Sequence, residues 1–71
     1  MSEDKFVWGK NDVLWHANGR HVAGWLVYDA NSQMWAARTA GALDKPVVRA
    51  EFDNHDTARD FLMFIANAEN P

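Results

Sequence analysis

Asn18-Gly19 stands between two apolar runs, Val13-Leu14-Trp15-His16-Ala17 and Arg20-His21-Val22-Ala23-Gly24-Trp25-Leu26-Val27-Tyr28, and leaves them little choice but to pair as an antiparallel hairpin. Asn-Gly accepts the two positive φ angles of a type I′ turn, whose twist matches that of the flanking strands. With a two-residue loop the register follows by arithmetic. Ala17 opposes Arg20, His16 opposes His21, and Trp15 opposes Val22. A second turn is predicted at Asp29-Ala30-Asn31-Ser32, whose side chains bond their own backbone. It folds residues 33–39 back as a further strand, with Tyr28 opposite Gln33 and Leu26 opposite Trp35.

Phe6-Val7-Trp8 reads as a short leading strand, ended by the turn-like Gly9-Lys10-Asn11-Asp12. Residues 40–46 form a loop punctuated by Gly41 and Pro46, and residues 47–52 a last strand. The period then changes. Asp53 is placed to cap a helix, with Asp56 and Asp60 adding negative charge near its start. Ala58, Phe61, Leu62, Ile65 and Ala68 recur at helical spacing and define one buried stripe over residues 54–69. Met63 points away from it and Phe64 lies at its margin. The expected fold is one α+β domain over residues 1–71, with residues 1–5 a flexible lead. An antiparallel four-stranded meander over residues 12–52 carries one C-terminal helix on one face (β-β-β-β-α).

A chain of 71 residues has room for a single small core, which usually yields only about 3–5 kcal/mol. Four Trp, four Phe and one Tyr supply much of the burial. With no Cys, neither a disulfide nor a thiolate zinc site is open to it, so self-association is the remaining common staple. No run approaches the roughly 20 apolar residues of a membrane span. The polar Met1-Ser2-Glu3-Asp4-Lys5 lacks the order of a signal peptide, so a soluble, cytoplasmic protein is expected. Net charge is −3: residues 1–38 are neutral, whereas residues 39–71 set three basic against six acidic side chains. That balance disfavours nucleic acid, which needs many cations facing phosphates.

Alternation sorts the strands into two faces. One holds Leu14, His16, His21, Ala23, Trp25, Val27, Met34, Ala36 and Arg38. The other holds Val13, Trp15, Arg20, Val22, Gly24, Leu26, Tyr28, Trp35, Ala37 and Thr39. In the last strand Val48, Ala50 and Phe52 alternate with Val47, Arg49 and Glu51, and the charged set does not belong under a helix. Small Ala23, Ala36 and Ala50 would let a helix approach, which puts Leu14, Trp25, Val27, Met34 and Phe52 beneath it. The uncovered face then carries Trp15, Tyr28 and Trp35 with Leu26 and Val22, bordered by Arg20, Arg49 and Glu51. Aromatics and Arg are the residue types enriched at interface hot spots, so Trp15, Arg20, Tyr28, Trp35 and Arg49 are the candidate binding residues. The competing reading is that Phe6 and Trp8 cover this face, or that the two faces are exchanged.

Chemistry finds little footing. His16 and His21 face each other, but a metal site needs three or four ligands and nothing sets His55 beside them. Ser2 and Ser32 lie in a terminus and a turn, the helix-start aspartates are explained by the helix dipole, and the four glycines are too scattered for a phosphate loop. No catalytic residue, metal or cofactor is assigned, and an enzyme is not expected.

Trp35-Ala36-Ala37-Arg38, Val48-Arg49-Ala50-Glu51-Phe52-Asp53, Ala58 and Phe61-Leu62 together resemble a pattern in the N-terminal DNA-binding domains of phage tyrosine integrases and in the AP2 domains of plant transcription factors. The resemblance covers about half the chain. It implies a three-stranded sheet on a C-terminal helix, the open sheet face entering the DNA major groove, and Arg20, Trp35, Arg38 and Arg49 as contacts. Those families carry a strongly basic hairpin where this chain has Ala40-Gly41-Ala42-Leu43-Asp44, and here Glu51 precedes Phe52. Two functions therefore stand. The first is a non-catalytic protein-interaction module, an accessory or inhibitory factor that self-associates as a homodimer or binds another protein through an aromatic sheet face. The second is a sheet-face nucleic-acid binder in which Trp15, Trp35 and Tyr28 stack on bases.

Overall fold

The computed structural model describes residues 5–41 and 45–69. Five antiparallel strands run in spatial order identical to chain order: β1 (Phe6–Trp8), β2 (Val13–His16), β3 (Val22–Asp29), β4 (Met34–Ala40) and β5 (Pro46–Phe52). One helix, α1 (His55–Glu69), crosses one face of the sheet. The expected α+β meander with a C-terminal helix is therefore present, with five strands in place of four. Phe6-Val7-Trp8 pairs fully with β2, Phe6 opposite His16, Val7 opposite Trp15 and Trp8 opposite Leu14.

The Asn-Gly corner forms a hairpin but not the expected type I′ turn: Gly19 takes φ +74° while Asn18 does not share a positive φ, and the Gly19 N–H donates to His16 O at 2.8 Å, which puts Ala17 and Asn18 at the centre of the turn. The expected register beside it holds, with the His16 N–H donating to His21 O at 2.9 Å and Trp15 opposite Val22. One residue further the ladder slips. Leu14 pairs with Gly24 and Val13 with Trp25, leaving Ala23 as the extra residue of a β-bulge. Because side chains alternate with period two, one inserted residue sends everything beyond it to the opposite face. The next turn places Tyr28 opposite Trp35 and Leu26 opposite Ala37, two residues away from the simplest register. Gln33 at φ +57° donates its N–H to Asp29 O and absorbs the difference. An even shift leaves the faces unchanged. A second bulge, at Arg49, lies between the Ala37–Ala50 and Arg38–Val48 pairs.

These bulges correct the predicted faces. Leu14 and Phe52 do lie on the helix side, but Trp25, Val27 and Met34 do not. Their places under α1 are taken by Gly24, Leu26, Trp35 and Ala37. Of the small residues expected to admit the helix, Ala23 packs against the core and Ala50 stands opposite Ala37 on the helix side, whereas Ala36 does not; Gly24 and Ala37 join them there. A Cβ on Gly24 would stand 2.7 Å from Leu62 Cδ1. The core joins Phe6, Leu14, Leu26 and Ala37 to Ala58, Leu62, Ile65 and Ala66 of the helix. Of the predicted stripe Phe61 is half-buried and Ala68 exposed, while Met63 packs against the core instead of pointing out.

Helix α1 is held at both ends. Asn54, not Asp53, caps it: its Oδ1 accepts the Thr57 N–H at 3.0 Å. His55 Nε2 lies 2.8 Å from Asp12 Oδ1, tying the helix start to the turn between β1 and β2, where Asn11 and Asp12 both hold positive φ. At the far end Arg49 forms two hydrogen bonds to Glu69, at 2.6 and 3.2 Å, and reaches Thr39 Oγ1. Part of the predicted 40–46 loop, residues 42–44, lies outside the described residues, as do residues 1–4 of the predicted lead. Among the described residues no helix is long and apolar enough to cross a membrane.

Candidate functional site

With α1 on one side, strand pairing fixes what stands on the other. The side chains form rows across the strands: Val7, Trp15 and Val22; then Val13, Trp25, Arg38 and Val48; then Val27, Ala36 and Glu51; and at one corner Asp29 and Met34. Among the described residues no element covers this face. Val7, Val22 and Val48 keep 47, 39 and 47% of their surface exposed, and Trp15, Trp25, Val27 and Met34 are each only half-buried. The Trp15 indole lies against Gly9, where a Cβ would come within 2.7 Å of Nε1. An apolar surface this continuous, with two tryptophans in it, is uncommon on a free monomer.

Charge enters the face at few points. Arg38 lies near its middle between Trp25 and Val48, half-buried, with a buried Nε that has no hydrogen-bond partner among the described residues. Glu51 is exposed at the outer strand, opposite Ala36. Asp29 at the corner is engaged by its own turn, accepting the Asn31 N–H at 2.9 Å.

The five residues predicted for binding do not come together. Trp15 stands on the open face as expected. Arg20 is exposed in the hairpin loop, its backbone N–H donating to Asn18 Oδ1 at 2.8 Å. Trp35 is on the helix side, its ring 4.5 Å from that of His55, and Tyr28 sits beside it at 5.1 Å, half its surface in water at the rim. Arg49 is taken by Glu69 on the helix side, where its pKa is raised chiefly by that hydrogen bond. The contacts implied by the integrase and AP2 resemblance are split in the same way, with Arg38 on one face and Trp35 and Arg49 on the other. Phe6 and Trp8, the other candidates to cover the open face, also lie on the helix side, where Arg59 stacks over Trp8 at 4.6 Å.

What the alternation argument missed is Trp25, Val27, Arg38 and Val48. The signal that marks the first three is Gly24, since an isolated Gly inside a strand run points to a bulge or a close backbone approach, and here it adjoins the one and makes the other; Val48 is turned outward by the bulge at Arg49.

His16 and His21 do adjoin, with ring centroids 6.2 Å apart and edge-on. Among the described residues no group of three or more His, Asp or Glu gathers as a metal site. Shallow depressions lined by described residues flank the helix. One, of about 430 Å³, is lined by Trp8, Asp56, Arg59, Asp60 and Met63. Another, of about 300 Å³, is floored by Thr39 and bordered by His16, Arg49 and Glu69. No protein-family model matches this chain, and no curated protein or solved structure is significantly similar to it.

Proposed function

We propose that this protein is a non-catalytic interaction module that docks a protein on the helix-free face of its sheet. The observation that carries the reading is the pair Trp15 and Trp25 set among valines on a face that no described element covers. Apolar area of this kind is favourable to bury, at roughly 25 cal/mol per Å². Tryptophans bordered by an Arg are the side chains that anchor protein interfaces. Strand residues also present such a surface at little entropic cost, because the sheet already holds them in place. The resident charges favour protein over nucleic acid: among the described residues Arg38 is the one cation on the face, against Glu51 on the next strand and Asp29 at the corner.

A photo-crosslinking amino acid placed at Val27, in the middle of the face, tests this against the same residue placed at Phe64, 69% exposed on the far side of the helix. Protein adducts from position 27, absent from position 64 and unaffected by salt, are expected. Adducts to nucleic acid that vanish at moderate salt would select the nucleic-acid reading instead. No adduct at 27 beyond that at 64 would reject the face altogether.

A further inference from the structure

We infer that the occupant of the open face is the same face of a second copy, forming a two-fold dimer of the form helix–sheet–sheet–helix; this rests on that face being a protein-docking surface. Three observations favour a second copy over another partner. The first is charge. A self-packing face must be complementary to itself, and among the described residues this one carries the cation Arg38, with no side-chain partner in its own copy, the anion Glu51 on the next strand, and at the corner Asp29, whose carboxylate is engaged by its own turn. The acidic side chains of α1 are on the opposite side of the sheet, so two such faces meet without the repulsion of the chain's −3 net charge.

The second is shape. Trp25 and Arg38 share one row across the strands, and Val27, Ala36 and Glu51 share the next. A two-fold axis lying in the face between those rows, at right angles to the strands, sets Trp25 of each copy on Val27 of the other. The same axis carries Arg38 across the other copy's small Ala36 to its Glu51. Sheets packed this way lie about 10 Å apart with strands within about 30° of each other.

The third is size. Five strands about 4.8 Å apart with a rise of about 3.3 Å per residue give a flat footprint of roughly 450 Å². Its accessible area is larger, approaching the roughly 600–1,000 Å² that each partner contributes to a stable interface. Among the described residues only Leu14 and Leu62 are large and fully buried, so a second apolar layer would supply what this small core lacks.

Sedimentation velocity over a wide concentration range is the test. The wild-type chain should approach twice its 8.1 kDa mass, with little response to salt. Arg38→Glu and Glu51→Arg should each weaken association about tenfold by setting like charges against each other across the two-fold. Mixing the two variants should restore it, because the mixed pair brings both attractive contacts back, a rescue that no contact within one copy can produce. Isotope-filtered NOEs in the unaltered chain, between the Trp25 indole of one copy and Val27 methyls of the other, report the same packing without any substitution. A monomer at every concentration, no rescue on mixing, or a dimer lacking those NOEs overturns the inference. If the chain is monomeric while position 27 still crosslinks a different protein, the docking face stands and only the second copy falls. With no protein adduct either, both fall.

Discussion

Gly24 does at one position what the rest of the fold depends on. It lies in β3 opposite Leu14 and directly beneath Leu62, with a virtual Cβ only 2.7 Å from Leu62 Cδ1 and 2.8 Å from the Arg38 carbonyl oxygen. The first neighbour can swing aside; the second is backbone and cannot. Gly24→Ala should therefore cost about 1–3 kcal/mol by overpacking, read as a lower denaturation midpoint with an unchanged denaturant slope. A midpoint equal to that of the wild type would mean that the Arg38 carbonyl of β4 gives way without cost. Ala23, beside it, is the bulged residue, and these two small residues together set which tryptophans face out.

At the level of elements, the helix is held by one side-chain contact at each end, His55 to Asp12 of the β1–β2 turn and Arg49 to Glu69. The Arg49–Glu69 pair bridges β5 and the last turn of α1, and its chief effect on Glu69, through the hydrogen bond from Arg49, is to hold the carboxyl below its ordinary value of 4.5. A carboxylate with a lowered native pKa stabilises the fold at pH values above its unfolded pKa, and the contribution is lost as pH falls through the lowered native value. Wild type should therefore lose its advantage over Glu69→Gln on the acid side of the ordinary glutamate range and keep it at neutral pH. Melting temperatures of the two proteins across acid pH check this; parallel curves would show the pair contributes nothing. Both partners are well exposed, so the effect should be small and should shrink with salt. The bulge at Arg49 is what turns that side chain toward the helix. Unbroken alternation in β5 had assigned it to the open face.

For the molecule as a whole, the limiting quantity is buried apolar volume. Four tryptophans are present, yet none is fully buried, and among the described residues the two large side chains wholly removed from water are leucines. A fold this lightly filled gains most from whatever closes its second face. If a second copy does so, folding and association are linked and the melting temperature should rise with protein concentration. A concentration-independent melting temperature, measured across the range used for sedimentation, would show that the isolated copy already holds all its stability.

Local chemistry alone determined the list of elements. Asn18-Gly19 marked a hairpin because Gly19 accepts the one positive φ the corner needs, although Asn18 does not share it, and the switch from period two to period 3.6 after Phe52 announced the helix. Leu14 and Phe52 were legible as core, and Trp15 as outward-facing, because each lies on the near side of a bulge. Beyond Ala23 and Arg49 the same reasoning inverted, and it exchanged Trp25 and Val27 for Trp35 and Leu26. Both sheet faces are apolar enough to serve as core, so hydrophobic pattern could not rank them. Tertiary packing broke that tie: the helix settled where Gly24 and Ala37 let its backbone come closest, and each bulge supplied the one-residue slip that close contact required.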